Sequence, residues 1–263
     1  MKYTYVMTFT AVCAVSIMTG CGGGGDSTTQ TPPATPQQQT QQATPPKAAT
    51  ATLAGSVTFS GTAPKNTRIR MDSDPVCGKL HSEPVFTEEY IVGSGGELAN
   101  VFVYVKSGLD GQGFPATADT VIFDQRGCHY DPHVFGLRVN QPLAILNSDP
   151  TLHNVHALAK NSREFNLAMP KEGMRVTKSF SEPEVMVKIK CDVHSWMAAY
   201  AGVLPHPHFD VTDESGRFSI GPLPPGTYEL EAWHEKAGTM TQTVTVGDGE
   251  TSATAFTFGA SGT

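Results

Sequence analysis

Short runs of alternating apolar and polar residues fill the chain from about residue 51 onward, each broken by glycine, proline, asparagine or aspartate. Residues 101–105, 185–190 and 243–246 are examples. Alternation with period two and many β-branched residues indicates half-buried strands, and no long window shows an apolar stripe of helical period. The pattern predicts an all-β fold of the sandwich type. About 210 residues are enough for two small β-sandwiches.

The C-terminal part, residues 209–230, has a regular order of strands and turns. A strand leads into a turn with Gly216, a second strand follows, and Pro224-Pro225-Gly226 precedes the next strand. Glycine supplies the positive φ that such a hairpin requires, and Pro-Pro-Gly has the chemistry of a type II turn. This arrangement resembles the carboxypeptidase regulatory-like, or transthyretin-like, β-sandwich family.

The opening strands of that family resemble residues 55–64 and 100–105, which lie far upstream. The resemblance implies one split sandwich made of residues 51–105 and 209–263, with a second module, residues 106–208, inserted between its strands. The alternative is two consecutive sandwiches.

The second module carries one cysteine, one histidine and one methionine in a single short loop. Cys191, His194 and Met197 follow the spacing C-x2-H-x2-M, and His153 lies 38 residues before the cysteine. One thiolate, two imidazoles and a thioether form a soft N/S ligand set. Copper in electron-transfer sites selects such a set, with two histidines and a cysteine in a plane and a weak axial methionine. The sequence therefore indicates a mononuclear copper site, with His153 as the candidate for the distant ligand.

Other uses of these residues remain open. Structural zinc usually takes two or more thiolates and rarely methionine, and a catalytic Cys–His pair would not need Met197. His156 follows His153 by three residues, so the two histidines of one strand should point to opposite faces. We expect His156 to be a packing or supporting residue rather than a ligand.

Residues 147–156 and 191–197 resemble the two ligand segments of the cupredoxins, the amicyanin- and plastocyanin-like blue copper proteins. The resemblance implies a Greek-key sandwich with one type 1 copper ion. It makes His153, Cys191 and His194 the planar ligands and Met197 the axial ligand. Asn154 would join the two ligand loops by hydrogen bonds. In this chain Val193 and Ser195 stand where amicyanin has prolines, which could loosen the loop.

The function that the resemblance implies is that of a single-electron carrier without enzymatic activity, serving a redox partner such as a cytochrome c or an oxidoreductase. We expect Trp196 to lie either in the core or at the rim of an apolar patch around an exposed edge of His194, where the partner would dock.

The N-terminus reads as a bacterial lipoprotein signal. Residues 1–20 have a lysine and a short apolar core, too short for a membrane span of about 20 residues. The segment ends in a lipobox-like Met18-Thr19-Gly20-Cys21. Cys21 is thus the candidate for lipidation, and Gly22 favours the outer membrane, facing the periplasm or the cell surface. The alternative is an ordinary signal peptide with a coincidental cysteine. Residues 21–50, rich in Gly, Pro, Gln and Thr, predict a disordered tether.

The remaining cysteines and the net charge limit what else the chain can do. With Cys13 in the signal, Cys21 lipidated and Cys191 on a metal, Cys77 and Cys128 form an even pair. In an oxidising compartment the leading interpretation is a disulfide, with a second metal site or free thiols as alternatives. The net charge of −7 argues against nucleic acid and suits a basic partner such as a cytochrome.

Two other functions remain possible from the sequence. One is a non-redox module for adhesion or for binding carbohydrate or protein at the cell surface, a frequent use of regulatory-like sandwiches. The other is copper handling, meaning delivery or sequestration of the ion.

Overall fold

The computed structural model describes residues 48–259, which belong to one compact unit. The signal segment, Cys21 and most of the tether lie outside the described residues. The all-β prediction is confirmed: strands dominate, and the helical segments of the described part are a 3-10 turn at Met71–Ser73 and the helix α1 at Pro75–Leu80. In chain order the strands are β1 (Ala51–Ser60), β2 (Phe102–Ser107), β3 (Val121–Arg126), β4 (His129–Asp131), β5 (Val134–Arg138), β6 (Leu143–Asn147), β7 (His153–Ala157), β8 (Phe165–Met169), β9 (Met174–Lys178), β10 (Glu184–Lys190), β11 (Ala198–Leu204), β12 (Phe209–Val211), β13 (Arg217–Leu223), β14 (Gly226–His234), β15 (Gly238–Val246) and β16 (Thr251–Gly259).

The first and last strands of the described chain build one pair of sheets. Their strand orders are β13-β1-β16 and β12-β2-β14-β15. Alternate side chains from both sheets meet in one apolar core, with Leu53 and Phe256 from the first sheet and Val103 and Leu230 from the second. This is the geometry of a β-sandwich, in which each strand points every second residue inward.

The middle of the chain builds a second pair of sheets with its own core. The orders are β5-β11-β10-β7-β8 and β4-β3-β6-β9. Phe123 and Ile145 from the smaller sheet pack with Val155 and Ala201 from the larger one. These strands span residues 121–204, between the two parts of the chain that form the first sandwich.

Two glycines allow the two sandwiches to pack closely. Phe102 of β2 is fully buried in a small apolar cluster with Tyr104, Val134 and Leu204. The ring of Phe102 packs directly against the backbone of Gly202 in β11, so a Cβ on that residue would overlap the ring. The ring of Phe209 packs in the same way against Gly136 of β5. Close approach of a ring to a backbone requires the absence of Cβ at both strands.

The segment between β1 and β2 is mostly irregular and carries α1. Isolated bridges such as Arg68 to Phe86 organise it. Cys77 of α1 forms a disulfide with Cys128, which lies in the turn between β3 and β4. Gly127 and Cys128 both have positive φ, as a two-residue hairpin turn requires. The disulfide thus joins the segment that follows β1 to the second sandwich. Within residues 48–259, no helix has the length and apolar character to cross a membrane.

Candidate metal centre

His153, Cys191 and His194 come together in the second sandwich. One ligand atom from each lies within 4.8 Å of the others, and all three residues are buried. His153 opens β7, Cys191 follows β10, and His194 lies in the loop that leads to β11. The Nδ1 atoms of the two imidazoles are 2.9 Å apart. Two strands and one loop therefore aim two nitrogens and one sulfur at a common point.

The loop from Cys191 to Met197 is closed by its own backbone. The Cys191 N–H donates to the carbonyl of Met197 at 3.2 Å, and the Met197 N–H donates to the carbonyl of His194 at 2.9 Å. The His194 N–H points at the Cys191 sulfur, at 3.3 Å. Met197 is buried in the same core as Cys191. The short spacing of the motif is what allows one tight turn between β10 and β11 to hold all three side chains.

Asn154 connects the two ligand segments, at the place where the sequence predicted a bridging residue. Its Oδ1 accepts the Asp192 N–H at 2.6 Å and lies 3.2 Å from the Cys191 sulfur. Its Nδ2 donates to Asn166 and to the carboxylate of Asp192. The amide therefore fixes β7 against the residues that follow β10.

His156 points away from the ligand cluster. Its ring nitrogens contact the carboxylates of Asp192, at 3.0 Å, and Glu164, at 2.7 Å. The strand alternation that separates it from His153 agrees with the opposite-face prediction.

A carboxylate that the sequence analysis did not single out holds the outer nitrogen of His153. Asp149 is 3% exposed, and its Oδ2 lies 2.9 Å from His153 Nε2. The same carboxylate accepts the N–H groups of Gly127 and Cys128, each at 2.7 Å. Asp149 thereby anchors the imidazole to the hairpin turn that carries the disulfide.

A second carboxylate, from the segment between β1 and β2, holds the outer nitrogen of His194. Asp74 Oδ2 lies 3.0 Å from His194 Nε2, and the Cys77 sulfur lies 3.7 Å from the same nitrogen. His194 is 3% exposed. Of the two positions considered for Trp196, the rim of an exposed His194 edge is therefore wrong, because the segment around α1 covers that edge.

Trp196 packs beside His194, with the ring centroids 5.0 Å apart. Its Nε1 donates to the carbonyl of Cys128 at 3.0 Å, and the residue is half-buried. The indole thus fills space between the ligand loop and the disulfide.

Cys77 and Cys128 are bonded to each other and fully buried, so neither offers a thiolate to a metal. Of the histidines near them, His81 Nε2 lies 2.7 Å from the carbonyl of Gly127 and His133 pairs with Glu235, whereas the buried Nε2 of His129 has no hydrogen-bond partner. Cys191 is the free cysteine of the described residues.

The environment lowers the pKa of Cys191 and raises the pKa of His153. Burial alone would raise the pKa of the Cys191 thiol, but contacts with His153 and nearby N–H groups hold that pKa below its ordinary value. Burial would lower the pKa of His153, yet the hydrogen bond to Asp149 and the contact with Cys191 raise it to about 9. A thiolate is the form of cysteine that binds metal.

A cleft next to Cys191 and Met197 reaches the ligand loop from outside. It has a volume of about 260 Å³ and is lined by Cys191, Asp192, Ser195 and Met197, with the lysines Lys188 and Lys190 beside them. Asp74 and Cys77 cover the outer nitrogen of His194.

The donor set fits a soft or borderline transition metal. Two imidazole nitrogens and one thiolate, with a buried methionine in the same loop, match the ligand preference of copper better than that of calcium or magnesium, which take oxygen ligands. The outer nitrogens of both imidazoles contact carboxylates, the arrangement that orients histidine ligands in many metal sites.

Part of this chain resembles solved structures, whereas no family model and no curated protein matches the chain. A proline-to-glycine variant of oxidized amicyanin is 17% identical over 38% of this chain and 97% of its own, with a TM-score of 0.30. The purple cupredoxin of Nitrosopumilus maritimus is 20% identical over 32% of this chain and 98% of its own, with a TM-score of 0.29. The copper-containing nitrite reductase of Thermus scotoductus SA-01 is 17% identical over 37% of this chain, with a TM-score of 0.29, and this chain spans 24% of its length. Each similarity thus covers less than two fifths of this chain.

Proposed function

We propose that this protein holds one type 1 copper ion and carries single electrons. His153, Cys191 and His194 would bind the ion, and Met197 would be the weaker axial ligand. The observation that supports this most directly is the buried cluster in which the two Nδ1 atoms and the Cys191 sulfur converge. Bound there, copper would supply a one-electron couple between its cuprous and cupric states.

The protein contributes rigidity and the exclusion of water. Asn154 and the His194 N–H both contact the Cys191 sulfur, which limits its movement. Asp149 and Asp74 occupy the outer nitrogens of the two imidazoles, which leaves the inner nitrogens for the metal. Electron transfer is fast when one geometry suits both oxidation states, and these contacts restrict the site to one geometry.

The same arrangement makes a carrier more plausible than an enzyme. Four protein ligands would leave no position for a substrate, and the three strongest donors are buried. A catalytic metal site keeps an open position. We therefore include the absence of catalysis in the proposal.

Location and partner belong to the proposal as well. Lipidation of Cys21 and the tether of residues 21–50 would hold the folded part at the outer membrane, toward the periplasm or the cell surface. Residues 106–208 would be the copper module, inserted in a regulatory-like sandwich of residues 51–105 and 209–263. The net charge of −7 favours a basic redox partner such as a cytochrome c.

Reconstitution with Cu(II) tests the metal and its type. The loaded protein should show an intense visible thiolate-to-copper absorption, and Cys191→Ser should abolish it. Ser195→Ala changes an exposed residue of the same loop and should leave the absorption intact. A wild-type protein that binds no copper, or binds it without colour, contradicts the proposal.

Copper handling is a second candidate, supported by the cleft beside Cys191 and Met197. An ion delivered to another protein would leave through that opening. Cu(I) transfer to a high-affinity chelator separates the two functions. Release within seconds favours delivery, whereas retention over hours with reversible oxidation and reduction favours electron transfer.

A further inference from the structure

Asp74 uses both of its carboxylate oxygens. Its Oδ1 accepts the N–H groups of Val76, at 2.7 Å, and Cys77, at 3.3 Å, and so caps the first turn of α1. Its Oδ2 lies 3.0 Å from Nε2 of His194, a residue 120 positions away in the chain. One side chain therefore ties a short helix to an imidazole of the ligand cluster.

The same helix is covalently connected to the support of the other imidazole. Cys77 is bonded to Cys128, and the Cys128 N–H donates to Asp149, whose Oδ2 lies 2.9 Å from His153 Nε2. The contacts form a closed circuit, because His153 and His194 touch through their Nδ1 atoms. Two carboxylates, joined through one disulfide, thus hold the outer edges of both histidines.

We propose that Asp74 is a positioning residue for the copper centre: it fixes His194 with Nδ1 toward the ion and lowers the reduction potential by stabilising Cu(II) over Cu(I). This inference rests on the proposed function. It assigns the segment around α1, Met71–Leu80, the task of completing the site from outside the second sandwich. We call this segment the cap.

The first step of the argument concerns the proton of the imidazole. A neutral imidazole has one N–H and one lone pair. When Nε2 donates its N–H to Asp74, the lone pair is on Nδ1, which faces His153 and the Cys191 sulfur. A carboxylate acceptor also makes the imidazole a stronger electron donor to a metal.

The second step concerns charge. His194 is 3% exposed, so the field of the Asp74 carboxylate is only partly screened by water. A fixed negative charge stabilises the divalent ion more than the monovalent one. Asp149 acts in the same sense on the other histidine. Removal of the Asp74 charge should raise the reduction potential.

The third step separates this role from helix capping. Asparagine caps helices about as well as aspartate. Asp74→Asn therefore keeps the side-chain hydrogen bonds to the first turn of α1, while it removes the negative charge and the second carboxylate oxygen. Asp72 is the matched control: it lies two residues away on the same segment, its side chain is 76% exposed, and it pairs only with Arg70 at 3.8 Å.

The experiment compares wild type, Asp74→Asn, Asp74→Glu and Asp72→Asn. We expect Asp74→Asn to raise the reduction potential and to weaken Cu(II) binding by about 10- to 100-fold, with a smaller loss for Cu(I). Asp72→Asn should match wild type. Asp74→Glu, which retains the carboxylate, should recover part of the shift.

A second measurement does not depend on the potential. In the diamagnetic Cu(I)-loaded protein, the Nε2 proton of His194 should give an imidazole NMR signal that exchanges slowly with water. Asp74→Asn should accelerate that exchange by at least tenfold, and Asp72→Asn should not. If Asp74→Asn fails to fold, the comparison of Asp74→Glu with wild type by the same signal and the same potential takes its place.

Equal potentials in Asp74→Asn and Asp72→Asn, or a lower potential in Asp74→Asn, would overturn the inference and leave the proposed function intact. Absence of copper binding in wild type would overturn the proposed function, and this inference with it.

Discussion

The Nδ1 atoms of His153 and His194 lie 2.9 Å apart, although 41 residues separate them in the chain. Both nitrogens point inward because carboxylates hold the outer nitrogens. His153→Gln should therefore weaken Cu(II) binding more than tenfold and bleach the visible absorption. His156 lies on the same strand, but its imidazole contacts Asp192 and Glu164. The variant His156→Gln should therefore bind copper as wild type does. Competition with a chelator of known affinity measures the Cu(II) affinity of each variant. Equal losses of Cu(II) affinity in the two variants would argue against the ligand assignment.

Asn154 should matter to stability as well as to metal binding. Asn154→Ala leaves the Asp192 N–H without its acceptor at a part-buried position, and the loss of a typical hydrogen bond costs about 0.5–1.5 kcal/mol. We expect that loss in urea unfolding of the metal-free protein, together with a broader visible band in the copper form. Asn161→Ala alters an exposed asparagine and serves as the control. A variant as stable as the control would mean that water replaces the amide without cost.

The disulfide between Cys77 and Cys128 should be a large stabilising element. It closes a loop with a sequence separation of 51, and removal of a native disulfide typically costs about 2–5 kcal/mol. The double replacement Cys77→Ala with Cys128→Ala, made in a Cys191→Ser background to prevent exchange, isolates this contribution. Urea unfolding of the two metal-free proteins measures it, and a difference below 1 kcal/mol would contradict the prediction.

His133 and Glu235 form a buried pair between the two sandwiches, with side chains 9% and 7% exposed. Burial would lower the pKa of His133, but Glu235 raises it above its ordinary value; burial would raise the pKa of Glu235, but His133 lowers it. Stability from a raised histidine pKa is complete below about 6.5 and is lost as the pH rises through the folded pKa. Stability from a lowered glutamate pKa is present above about 4.3 and is lost as the pH falls through the folded pKa.

The pair should therefore stabilise the fold most between about pH 4.3 and 6.5. His133→Gln should lower the free energy of unfolding in that range by roughly 3–5 kcal/mol, because it leaves Glu235 buried without its partner. The difference from wild type should shrink as the pH rises above the folded pKa of His133. Urea titrations across pH measure it, with Glu89→Gln, at a more exposed ion pair, as the control. A difference independent of pH would show that lost packing, not charge, is responsible.

Gly202 should not tolerate a side chain. A Cβ there would overlap the ring of Phe102, which is fully buried and has no room to turn. Gly202→Ala should cost about 1–3 kcal/mol, the range for overpacked cores. Gly113→Ala adds the same methyl group in open space and should leave the melting temperature near that of wild type. Similar melting temperatures for Gly202→Ala and Gly113→Ala would mean that the two sandwiches can move apart at Gly202 without loss of stability.

The sequence predicted the strands and the ligand spacing because both depend on local patterns. Alternation with period two identifies β10 and β14 directly, and the spacing of Cys191, His194 and Met197 needs only one turn. The disulfide between Cys77 and Cys128 was the leading interpretation of the cysteine count, beside a second metal site or free thiols, and it is confirmed. These features require no knowledge of which distant segments touch.

Asp74 and Asp149 were missed because their roles depend on long-range contacts. Asp74 lies 120 residues before His194, in a segment without a repeating pattern. The same cause explains why the alternative with an exposed His194 edge was wrong: the sequence of the ligand loop does not show that a segment from before β2 covers it. Only the tertiary fold brings a carboxylate from before β2 to a histidine that follows β10.

The parallel pairing of β1 with β16 sets a schedule for synthesis. Residues 52–60 pair with residues 251–259 along the whole ladder. On the ribosome, β1 emerges early and must wait for the final strand, while the second sandwich can already form from contiguous chain. Pairing between such distant segments is slow and leaves an open strand edge in the meantime. β1 therefore stays without its parallel partner until the last strand has been synthesised.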